Sequence, residues 1–278
     1  MIDLHAHSTC SDGSLTPEAL AARGAEAGLN ALALTDHDTT AGVAAFLAAC
    51  EGLPMDGVGG VEISAAVPRG TLHMLGYFVD PGPCELQDAL AHIRGGREER
   101  NRTILANLNK LGFELTWEDV KAFSGDEVMG RPHFAQALMA GTYVRSKTEA
   151  FDRYLGKGKP AYADRFRLPP AESVALIAGA GGAAVLAHPF TLDLGPEALD
   201  RLVAELRAAG LAGIEAYYPE HSPRQREQYL ALAEKHGLVA TGGSDFHGEL
   251  NPDIRLGVGF GSLQVPDEVL DALRAHRP

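Results

Sequence analysis

Cysteine is scarce: three residues in 278 (Cys10, Cys50, Cys84), an odd number at wide spacings. That excludes a disulfide framework and a zinc ribbon, and it suits a reducing cytosol. Long apolar runs are also missing. No stretch of about 18 uninterrupted apolar residues occurs, so no membrane-spanning helix is expected. The opening Met1–Ser8 lacks a basic segment and an apolar segment, so no signal peptide is expected, and the compartment is read as cytoplasmic. Internal repeats and low-complexity segments are absent. Positive charge is in deficit: 24 Lys+Arg stand against 37 Asp+Glu, a formal net charge of −13. This argues against sequence-blind binding of long duplex nucleic acid, which needs basic surface to displace counterions. The apolar share, 45%, is ordinary for a globular protein and excludes a disordered chain. The length suits one large domain or one domain with an insertion.

The charge is uneven. Residues 94–167 carry 14 Lys+Arg and 10 Asp+Glu, so the acidity belongs to the flanking segments. A solvated helical face would account for the basic stretch, as most charge runs do. A basic cap beside an acidic, metal-holding site would account for it too, and would suit a small anionic substrate.

Strand and helix alternate in the first part. Met1–His5 is a short apolar run. Thr16-Pro17-Glu18 starts a helix by capping, by a proline-compatible first turn and by an acidic N-terminus. That helix should stop at Gly28. Strands are expected at 31–35, 57–63 and 71–79, with a helix over 39–50. The alternation resumes with helix 171–180, strand 183–187, helix 196–209, strand 213–217, helix 223–236, strand 238–241 and a last helix at 266–276. Such alternation indicates a parallel α/β sheet, open or closed into a barrel. Residues 84–167 show helical patterning only, at 85–111, 117–123, 132–140 and 147–155. The expected organisation is therefore an α/β domain over 1–83 and 168–278 with an all-α insertion over 84–167.

Histidines and acids gather at strand ends. His5 and His7 are two apart, so both point to one side of an extended chain and can grip one ion. Asp12 follows. The second strand ends in Thr35-Asp36-His37-Asp38, the third carries Glu62 and the fourth His73. Strand 183–187 runs into His188-Pro189, and strand 238–241 leads to Ser244-Asp245-Phe246-His247. Ligands and catalytic groups collect at the C-terminal edge of parallel sheets. Six histidines and three carboxylates converging from separate segments would be costly to bury without a partner. Nitrogen and oxygen donors without thiolate suit Zn, Mn or Fe. Nine ligands are too many for one ion and can hold two or three.

In order and chemistry these motifs resemble the PHP (polymerase and histidinol phosphatase) family. The resemblance covers residues 1–80 and 183–250. It implies a distorted (β/α)7 barrel, two to three divalent ions with Mn foremost, and phosphoester hydrolysis. It implies that His5, His7, Glu62 and Asp245 hold one metal. Glu62 would bridge to a second, held also by His73 and His188. Asp12, His37 and His247 would hold a third, with Asp12 standing where many members carry histidine. A water between two ions would be acidified to attack phosphorus as hydroxide, while the ions neutralise the phosphoryl oxygens. Bound cations would offset the acidity of these segments, so a phosphate substrate is admitted.

Within the insertion, Gly130-Arg131-Pro132-His133 opens a helix and the stretch 154–162 closes the region. Both are similar to small bacterial PHP phosphoesterases that dephosphorylate nucleoside 3′,5′-bisphosphates or trim short RNA from its 5′ end. Arg131 offers a fork for a phosphate. His133 could bind phosphate or protonate the leaving oxygen. Lys157 and Lys159 lie on a Gly-rich turn, and Lys159 is taken as a substrate contact. Ser8, next to the metal pair, is a further phosphate candidate. Asp36 and Asp38 are expected to orient imidazoles from outside. His221 follows a strand and could touch substrate, Glu215 belongs to the barrel interior, and His92, His236 and His276 are surface residues. Cys10 has no triad partner and is no nucleophile.

The function expected is removal of the 3′-phosphate from a nucleoside 3′,5′-bisphosphate, with trimming of short oligoribonucleotides as a side activity. Histidinol-phosphate phosphatase, a C–N-cleaving amidohydrolase and a non-catalytic accessory module are the alternatives. A small phosphorylated nucleotide is the expected partner, with neither long duplex nor membrane.

Overall fold

The computed structural model describes residues 1–124 and 129–277. It divides into two compact units, one of residues 1–91 with 167–278 and one of residues 92–166.

The first unit contains seven strands: β1 (Ile2–Asp3), β2 (Ala31–Leu34), β3 (Asp56–Ala65), β4 (Leu72–Tyr77), β5 (Ala183–Leu186), β6 (Gly213–Tyr217) and β7 (Val239–Gly242). They neighbour one another in chain order. The seam between β7 and β1 is bridged: the Leu4 N–H donates to the Gly242 carbonyl at 3.2 Å, and Ala6 pairs in parallel with Phe246. The result is a nearly closed α/β barrel of the distorted kind anticipated.

The sheet departs from the fully parallel expectation at one strand. β4 runs antiparallel to both β3 and β5. The cause is loop length. A parallel return needs a crossover of a dozen or more residues, and only residues 66–71 connect β3 to β4. Reversal has a consequence for His73, which sits at the start of β4 and not at a strand C-terminus. Because β4 is inverted, its start lies at the same edge of the sheet as the C-termini of the parallel strands, with His73 opposite Ser64 of β3.

Period-two alternation builds the two sides of the wall. Ala31 and Ala33 of β2 join one core with Leu75, Tyr77, Ala183 and Val185. Leu32 and Leu34 face the other way, into a core with Leu20, Phe46 and Met55 beneath helices α1 (Pro17–Glu26) and α2 (Val43–Cys50). Thr16 caps α1 by accepting from the Ala19 N–H, and the chain leaves that helix through Gly28 at φ 71°, as its glycine suggests. The long helix α3 (Glu85–Lys110) carries the division between the units at residue 91/92, not at its own start. Its first two turns bury Leu86 and Leu90, and Gln87 accepts from the Thr40 hydroxyl.

The second unit has its own apolar core, including Ile104, Leu108, Val120, Phe134, Leu138 and Leu155. Its further helices are α4 (Trp117–Ser124), α5 (Arg131–Ala140) and α6 (Lys147–Ala150), the last running into a π turn at Phe151–Leu155. Among its described residues there is no strand. The first unit then resumes with α7 (Pro170–Gly179), α8 (Pro196–Ala208), α9 (Pro223–His236) and α10 (Glu268–Ala275).

Candidate metal centre

His5 and His7 leave the end of β1 on one side, while Ala6 between them turns into the core beneath α1 and α2. Both imidazoles are fully buried. Glu62 of β3 lies at the focus of five histidines. Its Oε2 is 3.2 Å from His5 Nε2, 3.2 Å from His7 Nε2 and 3.0 Å from His37 Nδ1. Its Oε1 is 2.7 Å from His73 Nδ1 and 3.0 Å from His188 Nε2. Asp245 Oδ1 lies 3.3 Å from His5 Nε2 and 3.0 Å from His7 Nε2. Asp12 faces His247 Nε2 at 3.3 Å and His37 Nε2 at 3.6 Å.

Donor atoms thus fall into three groups, each within 4.8 Å of one another: His5, His7, Glu62 and Asp245; His37, Glu62 and His73; and His7, Asp12, His37 and His247. His188 joins the second through Glu62 and through His73 Nδ1 at 3.3 Å. All nine of the expected residues are brought together.

Proton accounting tests whether this cluster fits metal ions. His5 Nδ1 lies 3.0 Å from Glu215 Oε1, and His247 Nδ1 lies 2.8 Å from the Asp245 carbonyl. Carboxylates and carbonyls only accept, so both Nδ1 atoms carry the proton. His188 Nδ1 is 3.1 Å from the Thr191 hydroxyl, whose own proton goes to the Thr71 or His188 carbonyl, so it too donates. The Nε2 atoms of His5, His188 and His247 then face carboxylate oxygens, and without metal those carboxylates raise the pKa of His5 and His188 against the pull of burial. Each such contact needs positive charge between its two atoms, a proton in the metal-free protein or a divalent ion in that proton's place. His5 Nε2, His7 Nε2, His37 Nδ1 and Glu62 Oε2 are correspondingly buried without a hydrogen-bond partner. The donor set fits divalent ions.

Electrostatics without metal divides the imidazoles. Burial pulls His7 down, but Asp245 and Glu62 outweigh it and raise its pKa to about 10. Burial dominates at His37 and lowers its pKa to about 4, against the pull of Glu62 and Asp12. At Glu62 burial acts upward, and His37, His73 and His5 overcome it to hold the carboxyl well below its ordinary range.

The loops that carry these groups are strained and latched. His188, Asp245 and Asp38 take positive φ (22°, 56° and 56°), which costs about 1–3 kcal/mol each and persists only where the surroundings over-determine it. Three buried aspartates hold neighbouring segments by the same device, taking both the backbone N–H and the hydroxyl of a serine: Asp3 with Ser244, Asp36 with Ser8, and Asp38 with Ser64. Gly243 is required at the seam, since a Cβ there would lie 2.4 Å from the His5 backbone nitrogen.

Several expectations change here. Ser8 is fully buried and its hydroxyl donates to Asp36 Oδ2 at 2.6 Å, so its proton is not offered to a phosphate. Asp36 also holds the Ser11 hydroxyl, which lies 3.5 Å from His7 Nδ1, so it reaches an imidazole through a serine. His221 has its Nδ1 on the Ala216 carbonyl at 3.0 Å and its ring among Phe190, Tyr218 and Tyr229. His236, taken as a plain surface residue, pairs with Asp200 at 2.7 Å. Two site residues escaped the sequence reading. Glu215 holds His5 Nδ1–H and the His188 N–H, and Tyr218 donates to Asp245 Oδ2 at 2.9 Å. The available signal was a lone carboxylate inside an otherwise apolar strand.

In the second unit, Arg131 opens α5 with its guanidinium 5.6 Å from the Tyr162 ring centroid and 5.9 Å from that of Phe151. His133 Nδ1 accepts from the Gly130 N–H at 3.0 Å, so the neutral ring carries its proton on Nε2. Lys159 and Lys157 are exposed.

The chain matches the PHP domain family over residues 3–165. It is 39% identical over 249 residues to a 3′,5′-nucleoside bisphosphate phosphatase of Chromobacterium violaceum, covering 88% of this chain and 87% of that one. A 5′-3′ exoribonuclease of Salmonella typhimurium is 36% identical over 247 residues, covering 88% of this chain and 84% of the other. A solved structure of a candidate metal-dependent phosphoesterase from Bifidobacterium adolescentis superposes with a TM-score of 0.82 at 32% identity, covering 100% of this chain and 96% of the other. Among the described residues no helix is long and apolar enough to cross a membrane. With a family match over more than half its length and a nitrogen–oxygen cluster suited to divalent ions, the chain belongs to the PHP domain family and is a metal-dependent phosphoesterase.

Proposed function

We propose that this phosphoesterase removes the 3′-phosphate from nucleoside 3′,5′-bisphosphates, giving the nucleoside 5′-monophosphate and phosphate. The observation that supports this most is the 39% identity, over most of both chains, to a phosphatase of that substrate. In this reading His5, His7, Glu62 and Asp245 hold one divalent ion. Glu62, His73 and His188 hold a second, and Asp12, His37 and His247 a third. Mn is the preferred ion, with Zn or Fe as the other choices for such donors. Divalent ions held there supply Lewis acidity and a hydroxide nucleophile at neutral pH.

The chain's own residues do the remaining work. Glu62 directs one oxygen to His5, His7 and His37 and the other to His73 and His188, which suits it to serve two ions at once. Arg131, steadied against two aromatic rings, offers a fork to the non-reacting phosphate. His133, with its proton on Nε2, donates to the leaving 3′-oxygen. Lys159 adds positive charge for the substrate. Ser8 is left out of this set because its hydroxyl is committed to Asp36.

A second reading, 5′-3′ trimming of short oligoribonucleotides, is favoured by the match to the exoribonuclease. The test is parallel assay of the Mn²⁺-supplied protein on a nucleoside 3′,5′-bisphosphate, histidinol phosphate and a 5′-phosphorylated short oligoribonucleotide. Fastest turnover of the bisphosphate, with 5′-monophosphate as product, is the expected result. Turnover of histidinol phosphate alone would discard the role given to Arg131 and His133. Turnover of the oligonucleotide alone would put the second reading first.

A further inference from the structure

Strand β6 supplies no member of the three donor groups, yet its Glu215 bonds His5 of the first group and the backbone of His188. We propose that β6 and the residue after it are the positioning element of the metal centre. Glu215 sets the proton on His5 and the backbone of His188, and Tyr218 sets the carboxylate of Asp245. The inference rests on the reading of the cluster as a metal site.

Glu215 is fully inaccessible, and a carboxylate in that position needs partners for both oxygens. It has two, from different segments. His5 Nδ1–H donates to Oε1 at 3.0 Å, and the His188 N–H donates to Oε2 at 2.8 Å. The first bond decides which nitrogen of His5 is a ligand. With the proton held on Nδ1, only Nε2 is left to face Glu62 and Asp245. A carboxylate on the far nitrogen also makes an imidazole a more basic ligand. The second bond pins His188 at the one residue of its turn whose φ is 22°, where backbone strain must be met from outside.

Tyr218 completes the set. Its hydroxyl donates to Asp245 Oδ2 at 2.9 Å, leaving Oδ1 turned to His5 and His7. Its ring stands edge-on to His188, with centroids 5.5 Å apart. One strand and the residue after it therefore reach His5 and Asp245 of the first group and His188 beside the second. A displacement of β6 would disturb both ends of Glu62 together.

Glu215→Gln separates this role from simple filling of space. The amide has the same size but only one acceptor for two donors, and its NH₂ must abut either His5 Nδ1–H or the His188 N–H. In the full-length, chelator-treated protein, Mn²⁺ titrated by calorimetry should bind Glu215→Gln about 10–100-fold more weakly than wild type. Tyr218→Phe, which deletes one oxygen, should weaken binding in the same direction by a smaller factor. In ¹⁵N-histidine-labelled protein without metal, a far-downfield, exchange-protected Nδ1–H resonance of His5 should be present in wild type, unmoved in Tyr218→Phe and shifted upfield or missing in Glu215→Gln, whose neutral amide is at best a weaker acceptor. A purely space-filling residue would not move that signal.

Undiminished Mn²⁺ affinity in Glu215→Gln, or an unshifted His5 resonance there, overturns the proposal. If Glu215→Gln does not fold, unchanged Mn²⁺ affinity in Tyr218→Phe overturns it instead. Failure of the wild-type protein to bind Mn²⁺ is a different result, because it removes the metal reading itself.

Discussion

A neutral imidazole whose Nδ1 proton is committed to an acceptor has a lone pair to offer a metal ion from Nε2. At least three histidines of the cluster place Nδ1 on an acceptor and turn Nε2 toward a carboxylate, ready to exchange a proton there for a metal ion. The chemistry of the site follows from this arrangement, and so do two predictions. His188→Ala removes a nitrogen from Glu62 and His73. Turnover should fall by more than the roughly 10–100-fold typical of an outer partner, with circular dichroism unchanged. Turnover surviving that change would remove His188 from the second ion. The other prediction concerns pH. In the metal-free protein His7 is raised to about 10 from its ordinary 6.5. A raised histidine stabilises the fold fully below about 6.5, and that contribution is lost as pH climbs through 10. The thermal midpoint of metal-free protein should therefore fall between pH 7 and 10. Mn²⁺ must displace the same proton, so its affinity should rise with pH over this range. Calorimetry in buffers of different ionisation enthalpy reads the released proton directly.

Among the elements, the reversed β4 and the serine latches matter most. Reversal of β4 brings a histidine from a strand start into a site otherwise built from strand ends. The Asp3 latch ties β1 to the segment after β7, where the barrel has no regular strand pairing. Asp3 accepts from the N–H groups of Ser244 at 2.8 Å and Gly257 at 2.6 Å and from the Ser244 hydroxyl. Asp3→Asn replaces one acceptor oxygen by a donor, facing groups that themselves donate. The loss should be about 1–3 kcal/mol of unfolding free energy in urea titration. Hydrogen exchange should quicken at the Leu4 and His7 amides, which bond across the seam. Ser8→Ala deletes the hydroxyl of the second latch. A cost of about 1–2 kcal/mol with KM unchanged is expected, whereas a KM rise without loss of stability would return Ser8 to the substrate contacts.

For the molecule as a whole, the net charge of −13 and the metal centre belong together. Divalent ions at the cluster would offset the carboxylates gathered there, so an acidic protein can receive a phosphate. Chelation should lower the thermal midpoint and Mn²⁺ should restore it, since a ligand at 100 times its Kd stabilises by about 2.7 kcal/mol. Scanning calorimetry with and without chelator checks this. No retention on long duplex DNA is expected at physiological salt.

By itself the sequence determined the alternation of strands and helices, the all-helical middle and the set of nine candidate ligands. These are local matters: period, caps, turn residues, and histidines placed beside strand ends. The dipeptide spacing of His5 and His7 is legible because extended backbone has a period of two. The direction of β4 was a matter of connection length, which the six residues before it already contained but which alternation alone concealed. Only the tertiary structure decided what Ser8, Asp36, Glu215 and Tyr218 do. The bonds that settle it, Ser8 to Asp36, Glu215 to His5 and His188, and Tyr218 to Asp245, each span 27 or more residues of chain. A hydroxyl or carboxylate is defined by what it faces, and that is settled when the barrel closes.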